Sequence, residues 1–487
     1  MSVHVPLLSL LIFSPLLVAV LLQGLPARAA RWATAASMLA TLALACAVLV
    51  AYVPAGPRFQ LLERAPWIAS LNVQYLLGID GLSVLFPAAT AFLFLGALVA
   101  AWNHVQEVPR FYYGMLLALQ SATLGIFCAL DLVLFFVFWE ATLVPVFFLL
   151  GRWGVTSGAS RVAARYVLLM LASGVPILLG IVWMAAVQPV LTFDLPALSA
   201  APPGMGTQYA FLLLCLLGFA FKVPLVPLHT WLPQFALAAP GSLTALLLGL
   251  KVGVFGLIRV AIPLAPEAAQ SLHWLFAGFG TLALLYGAVG ILAQSNLRVG
   301  LAYASISHVG LAVLGLAAFS AQGVQGAVSL LLSFSLASGG GFLLLEFLRQ
   351  RTGTTDIHAL GGVAKRMPLL ATGFLICGLA GVGMPGTSSF PGEFMLILAA
   401  LQSHTGAGMA ALFGLSIAAG AFLALYRQAF FGTPKRNAVI EAEDLLPREW
   451  AVLLIVIVGI GGIGLWPGPW VDILAPAAER WAAGLSR

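Results

Sequence analysis

Five ionisable side chains lie inside strongly apolar stretches of the sequence, and these residues could do chemistry. They are Glu140, Lys222, Lys251, His308 and Glu393. A charge without a partner is costly in lipid, so ionisable residues at membrane depth usually mark a path for ions or protons. Groups that can load and release protons, spaced through the bilayer, are what proton transfer requires. The pattern therefore predicts a proton path.

A static ion pair is the alternative explanation for a buried charge. Glu140 is the obvious partner for Lys222, and such a pair can simply hold two helices together. This explanation suits one residue better than five residues spread over both halves of the chain. For His229, a relay role and a packed interface histidine both stay open.

The composition indicates what kind of protein must position these groups. The chain has 487 residues, of which 62% are hydrophobic and 8% are charged, whereas soluble proteins average about 25% charged residues. A single aqueous core cannot bury so much apolar surface. The sequence therefore predicts an all-α polytopic membrane protein. It excludes a soluble enzyme, a secreted disulfide module and a disordered chain.

Charge and cysteine usage narrow the function further. The net charge of +6 does not indicate nucleic-acid binding, because excess Lys and Arg in a membrane protein usually marks cytoplasmic loops. Each cysteine stands alone in apolar sequence without a partner at metal-ligand spacing, so we expect small buried hydrophobes and no cofactor or metal in this chain. The cysteines are Cys46, Cys128, Cys215 and Cys377.

Membrane spans follow from the apolar stretches. About 14 of them approach the roughly 20 residues that a membrane helix needs. The first is expected to stay in the mature chain, because it lacks a basic start and a convincing cleavage site. The predicted spans are residues 3–23, 33–53, 80–102, 111–129, 131–150, 164–187, 208–237, 241–262, 272–293, 300–319, 324–347, 368–402, 407–427 and 450–470.

Basic residues sort onto one side of this arrangement, which is predicted to face the cytoplasm. The opposite side carries only Arg58, Arg64, Arg480 and Arg487. Both termini are therefore expected on the periplasmic side of a bacterial inner membrane. Residues 54–78 are amphipathic and are expected on the outer interface. The basic residues assigned to the cytoplasmic side are Arg28, Arg31, Arg110, Arg152, Arg161, Arg165, Arg298, Arg349, Arg351, Lys365, Arg366, Arg427, Lys435, Arg436 and Arg448.

Two of the predicted spans, 208–237 and 368–402, are too long for one crossing and contain prolines in the middle. Proline frees backbone groups, and at membrane depth these must meet protein or water. Each break lies beside one of the buried charges, so water there could exchange protons with it. The strings Gly218–Pro224 and Gly378–Pro385 are similar, which is typical of inverted-repeat transporters, with chance similarity as the alternative.

Other polar residues receive structural interpretations. Asp80 and Asp131 stand at predicted helix starts and are expected to cap them. Arg259 and Glu346 lie near span ends, from where their side chains can extend to the membrane surface.

On these motifs the chain resembles the antiporter-like membrane subunits of respiratory complex I and its relatives, over nearly its whole length. The acidic residue in Gly392-Glu-Phe394 favours the M-type branch, since the L- and N-type subunits have lysine there. The strings that carry the resemblance are Gly78-Ile-Asp-Gly-Leu-Ser83, Leu134-Phe-Phe-Val-Phe-Trp-Glu140, Val144-Pro-Val-Phe-Phe148, Gly151-Arg-Trp-Gly154, Lys222-Val-Pro-Leu-Val-Pro-Leu-His-Thr-Trp-Leu-Pro233, Leu301-Ala-Tyr-Ala-Ser-Ile-Ser-His308, Pro385-Gly-Thr-Ser-Ser-Phe-Pro-Gly-Glu-Phe394 and Pro447-Arg-Glu-Trp450.

The resemblance implies a fold of two inverted five-helix repeats, each with a broken helix. Residues 1–110 would form N-terminal helices and an outer loop. Residues 111–262 and 272–427 would form the first and second antiporter-like repeats. Residues 428–487 would form a cytoplasmic loop and the C-terminal helix.

The resemblance also implies roles, by motif match, in proton translocation driven from a distant redox site. Glu140 would pair with Lys222 of the broken helix. Lys251 would be the central relay lysine, His308 a relay histidine and Glu393 the terminal acid of the second half.

Several positions depart from the family pattern. Gln234–Pro240 replaces a string with three more polar groups, and the stretch from Pro240 to Lys251 is about two residues short. Phe334 stands where a histidine is usual, and Arg298-Val299 replaces a basic pair. The proton path is therefore either altered at these points or continued through water.

Two functions stay open. The first is a proton-translocating subunit of a complex I-type NADH:quinone oxidoreductase, with antiporter-like neighbours and a peripheral redox arm. The second is a divergent subunit of a cation/proton antiporter, or of an inorganic-carbon uptake complex with a soluble zinc protein. In both cases the partners are membrane subunits and the lipid bilayer, without nucleic acid. A scaffold with inactive channels is disfavoured, because the relay charges are retained. The chain itself has no redox site.

Overall fold

The computed structural model describes residues 6–105 and 107–485. The first residues of the predicted 3–23 span, and Arg487 of the predicted outer side, lie outside this part. The described chain is mostly helical, which confirms the predicted class of polytopic membrane protein.

Helices occupy most of the chain and are numbered here in chain order. Those of the first half are α1 (Leu7–Leu21), α2 (Ala27–Ala51), α3 (Phe86–Ala101), α4 (Pro109–Cys128), α5 (Leu132–Ala141), α6 (Leu143–Trp153), α7 (Ala159–Ala186), α8 (Leu195–Ala200), α9 (Met205–Lys222), α10 (Trp231–Ala238), α11 (Gly241–Leu250) and α12 (Val252–Gly256). Those of the second half are α13 (Ile262–Leu264), α14 (Pro266–Ser271), α15 (His273–Leu292), α16 (Leu297–Leu316), α17 (Ala321–Thr352), α18 (Val363–Arg366), α19 (Pro368–Gly381), α20 (Ser389–Ser403), α21 (Thr405–Phe430), α22 (Asn437–Ile440), α23 (Pro447–Leu465) and α24 (Gly468–Leu485). A π-helical turn, Leu257–Ala261, joins α12 to α13.

The described helices match the predicted spans closely. By length and composition, 12 helical runs could cross a membrane. The predicted span 80–102 corresponds to the shorter apolar helix α3, and 368–402 divides into α19 and α20. The number of crossings and the inverted repeat stay predictions.

Local chemistry explains where the helices begin. Asp131 accepts hydrogen bonds from the N–H groups of Val133 and Leu134, so its predicted capping role is confirmed. Asn296 caps α16 and Ser320 caps α17 in the same way. Proline occupies the first turn of α4, α19 and α23, where no helical N–H is lost.

The core is built around the buried helices α4, α11, α16 and α17, whereas α7, α9, α15, α21 and α23 form the outer face. Small residues let α15 and α16 approach closely, as is common between membrane helices. A Cβ at Gly287 or Gly310 would collide with the backbone of the facing helix. Cys46 is exposed, so the expectation of burial is wrong for this cysteine.

The amphipathic stretch 54–78 forms β-structure in this otherwise mostly helical chain. It forms an antiparallel hairpin of β1 (Gln60–Ile68) and β2 (Val73–Ile79). The hairpin contacts helix ends on both sides. Glu63 accepts from the N–H groups of Leu8 and Ser9 at the start of α1, at 2.7 and 3.0 Å. Such long-range contacts override what the local pattern suggests.

Arg259 and Glu346 do not extend to the surface as predicted, because both are buried and paired. Arg259 donates two hydrogen bonds of 2.7 Å to Asp80, which also accepts from the N–H groups of Leu82 and Ser83. Glu346 accepts from the N–H of Gly241 at 2.8 Å, at the start of α11.

Arg298 is only 1% exposed and lies in the first turn of α16. Its guanidinium donates to the carbonyls of Leu237 and Ala239 at the end of α10. The break before Pro240 leaves these carbonyls without helical partners. Arg298 and Glu346 therefore satisfy the two helix ends that meet at this break.

The C-terminal helix predicted within residues 428–487 corresponds to α23, and the further helix α24 lies beyond the last predicted span, which ends at residue 470. Mixed polarity and Pro476 inside the helix hide it from an apolar-span criterion. Its Trp481 indole donates to the carbonyl of Ile258, within the π-helical turn, at 2.9 Å. A π-turn leaves backbone groups short of partners, so α24 completes this turn.

We expect Arg259→Gln to destabilise the protein strongly, because it leaves the Asp80 carboxylate buried without its charged partner. Breaking a buried pair costs about 3–5 kcal/mol. The matched control is Arg64→Gln, since Arg64 pairs with Asp194 while 57% exposed. An exposed pair contributes about 1 kcal/mol or less. Thermal unfolding in detergent measures both, and equal melting temperatures for the two variants would contradict the structural role of the Asp80–Arg259 pair.

Candidate functional site

Glu140 lies at the end of α5, next to the kink at Thr142 that separates α5 from α6. Both of its carboxylate oxygens are buried, and neither has a hydrogen-bond partner. The carboxylate packs on Gly174 of α7, where a Cβ would overlap it. The buried Tyr166 hydroxyl, also on α7, lacks a partner too and lies within range of the Glu140 charge. A buried carboxylate without partners is costly and rarely serves structure alone.

Lys222 is the last residue of α9, where the chain opens before α10. Its ammonium donates to the carbonyl of Trp139 at 3.3 Å and to the Thr142 hydroxyl at 3.4 Å. It also lies 3.8 Å from the centroid of the Trp139 ring, a favourable position for a cation. The ammonium is therefore held at the C-terminal end of α5, where the helix dipole also favours positive charge.

Lys222 and Glu140 do not form a salt bridge in the structure, since no N–O distance between these two described residues is 4.0 Å or less. The charges of these two residues nevertheless act on each other electrostatically. The predicted pair is thus near but open.

A cavity of about 50 Å³ joins Lys222 to Lys251. Its polar lining also includes Thr123, Thr142 and Ser305. A buried water needs about 10–15 Å³ of such space and several polar partners. The cavity therefore has room for a short chain of water molecules between the two lysines.

Lys251 interrupts the predicted span 241–262 in a way that the sequence did not predict. It separates α11 from α12 in the left-handed conformation, with φ +47°, which costs a non-glycine residue about 1–2 kcal/mol. Its ammonium donates to the Ser305 hydroxyl and lies 4.7 Å from the centroid of the Phe334 ring. Strain of this kind is most common at functional sites.

His308 and Glu393 form the other end of the site. The Nε2 atom of His308 lies 3.3 Å from Oε1 of Glu393, but the angle is too poor for a hydrogen bond. The Nδ1 atom lies 2.7 Å from the carbonyl of Ala304. The Glu393 carboxylate packs on Gly383, in the break between α19 and α20, where a Cβ would overlap it.

His229 does not join these residues. It lies in the break between α9 and α10, only 5% exposed, with its ring beside Tyr286 at 4.8 Å and Tyr303 at 6.4 Å. Its Nδ1 has no hydrogen-bond partner. The described contacts favour neither of the two roles considered for it.

Three further residues of the site escaped the sequence analysis. Trp139 and Thr142 hold the Lys222 ammonium, and Ser305 accepts from Lys251. Ser305 stands one helical turn before His308, so the turn spacing was the available signal. Nothing local marked the other two, because their partner is about 80 residues away.

Comparison with known proteins identifies relatives along the whole chain. The family model described as NADH:quinone oxidoreductase/Mrp antiporter, TM, matches residues 129–418. NADH-quinone oxidoreductase subunit M of Rhodobacter capsulatus is 33% identical over 97% of this chain and 96% of its own length.

Solved structures agree with this result. A chain of respiratory complex I from Thermus thermophilus with bound NADH is 32% identical, with a TM-score of 0.91 over 98% of this chain and 99% of that one. A chain of the Mrp complex from Dietzia has a TM-score of 0.88 over 99% of this chain and 98% of that one. At 21% identity, this second likeness shows the fold alone.

We expect Gly383→Ala to destabilise the protein, because position 383 combines φ +67° with contact to the Glu393 carboxylate. The left-handed conformation alone costs alanine about 1–2 kcal/mol. Gly381→Ala is the control, since a Cβ there meets nothing within 4 Å and the backbone is helical, where alanine is favoured. Thermal unfolding should separate the two variants. If Gly383→Ala and Gly381→Ala have the same melting temperature, the Glu393 carboxylate is not confined as described.

Proposed function

The chain belongs to the NADH:quinone oxidoreductase/Mrp antiporter membrane family, and from this premise we propose that it translocates protons as the M-type membrane subunit of a complex I-type enzyme. The observation that carries the proposal is the cavity shared by Lys222 and Lys251. It links the first broken helix to the centre of the molecule.

The geometry suggests how a proton enters this path. Lys222 can move between the Trp139 carbonyl, which it now contacts, and the unpartnered Glu140 carboxylate. Near Glu140 the ammonium is stabilised by the opposite charge, and away from it a proton is released more easily. Water in the cavity would carry that proton to Lys251. Separation and re-formation of the Lys222–Glu140 pair would thus move a proton laterally, from Lys222 to Lys251.

The second half of the path ends in His308 and Glu393. The 3.3 Å between their facing atoms allows a proton to pass once the angle improves. Glu393 stands in the second turn of α20, shortly after the second break. Water that reaches the freed backbone there would complete the route out of the protein.

Partners and location follow from the same proposal. Antiporter-like membrane subunits would flank the chain in a bacterial inner membrane, with both termini in the periplasm and residues 111–262 and 272–427 as inverted repeats. A redox arm elsewhere in the complex would supply the driving reaction. Within the described residues, no group of three or more His, Cys, Asp or Glu side chains is placed to hold a metal. The proposal assigns this chain no cofactor.

The alternative functions have weaker support. The identity of 32% to a complex I chain extends over 98% of this sequence, whereas the likeness to the Mrp complex supports the fold only. We therefore favour the complex I-type subunit over a cation/proton antiporter or an inorganic-carbon uptake complex.

Lys222→Ala should abolish turnover-driven proton translocation in the assembled complex, because it removes the group that exchanges with the Glu140 carboxylate and the cavity. Lys365→Ala is the control, since Lys365 is exposed on α18. Proton uptake into liposomes containing the purified complex measures translocation, and subunit composition shows that assembly is intact. Normal pumping by Lys222→Ala would refute the relay.

Purification of the natural complex in mild detergent tests the choice between functions. We expect flavin- and iron–sulfur-containing subunits to come with this chain, together with quinone reduction by NADH. Recovery of only small antiporter subunits, or of a soluble zinc protein, would reject the complex I-type assignment. Mass spectrometry of the purified complex distinguishes these outcomes.

A further inference from the structure

Phe334 of α17 lies between the two halves of the proposed path. Its ring centroid is 4.7 Å from the Lys251 ammonium nitrogen and 4.6 Å from the His308 ring centroid, so one side chain contacts both relay residues. The side chain is 3% exposed. Among the described residues, the Ser305 hydroxyl that accepts from Lys251 forms no hydrogen bond to His308, whose Nδ1 lies 2.7 Å from the Ala304 carbonyl.

The ring lines one of two separate cavities, and its neighbour Lys251 lines the other. The first, of about 50 Å³, is lined by Lys251 but not by Phe334. The second, of about 40 Å³, is lined by Phe334, His308 and Ser338, with mostly apolar neighbours. By volume each cavity has room for a few water molecules, but the second offers few polar groups to hold them. The ring therefore stands where water in one cavity would have to reach water in the other.

A phenyl ring cannot pass a proton by hydrogen bonding, because it has neither an exchangeable proton nor a lone pair. Its face attracts a cation, and the Lys251 ammonium lies over it. The ring therefore holds the Lys251 ammonium and also blocks the transfer of a proton from Lys251 to His308. A proton can cross only if the ring moves and water joins the cavities.

We propose that Phe334 is an aromatic gate that closes the path between Lys251 and His308 and opens only when its ring swings aside. This inference rests on the proposed function, because it concerns control of the same path. It assigns Phe334 a positioning role and no proton-carrying one.

Passive proton leak tests the gate independently of turnover. Liposomes containing the purified complex receive a pH gradient while the enzyme has no substrate. Phe334→Ala should raise the leak at least about tenfold, which corresponds to about 1.4 kcal/mol of barrier. Phe334→Leu, which keeps an apolar side chain of similar bulk, should leak little. Phe334→His, which keeps a ring of similar size but can exchange protons, should leak more than Phe334→Leu.

Phe347→Ala provides the matched control on the same helix. Phe347 is 1% exposed and lines neither cavity, so the same truncation should not open the path. If Phe347→Ala leaks as much as Phe334→Ala, the gate is overturned. It is also overturned if Phe334→Leu leaks as much as Phe334→Ala. Wild-type leak in both Phe334→Ala and Phe334→His would overturn it too.

Failure of the gate and failure of the proposed function give different results. The gate is measured without turnover, whereas the function is measured by turnover-driven pumping in Lys222→Ala. A double variant, Lys251→Ala with Phe334→Ala, adds a further check. If its leak stays as high as that of Phe334→Ala, protons bypass Lys251 and the gate does not control the relay.

Discussion

At membrane depth, a polar group without a partner costs several kcal/mol, and the rest of this structure depends on how the chain meets that constraint. Its helices are interrupted at or near the buried charged residues. Lys222 ends α9, Lys251 separates α11 from α12, and Glu393 lies one turn into the helix after the second break. A helix end offers free carbonyls and N–H groups together with space for water. Lys222 shows this directly, because its ammonium donates to the Trp139 carbonyl near the C-terminal end of α5.

A rigid frame holds the break at Lys251. The π-helical turn that follows Lys251 is fixed from two sides, by the Asp80–Arg259 pair and by the hydrogen bond from Trp481 to Ile258. Both contacts come from distant parts of the sequence. Strained backbone persists only where its surroundings determine it, so the residues that follow β2 and the C-terminal helix α24 support the geometry of Lys251 without touching it.

The sequence predicted those features that have a local signal. Apolar runs located the membrane helices, and prolines located the breaks after Lys222 and before Glu393, because both effects act within one helical turn. The break at Lys251 has no proline beside it and was missed. The Asp80–Arg259 pair was also missed, since its members are 179 residues apart. Buried charge was visible in the sequence, but its partners are decided by tertiary packing.

Two glutamates with buried carboxylates illustrate why we propose more than a structural role for the site. Glu346 accepts hydrogen bonds from the Gly241 N–H, Arg349 and Gln350. Its charge is therefore compensated by fixed neighbours. Glu140 has two buried oxygens without any partner, while Lys222 contacts a carbonyl nearby. A charge that only held helices together would be satisfied as Glu346 is. The uncompensated state of Glu140 is instead what a group needs if its interaction with Lys222 is to be made and broken repeatedly.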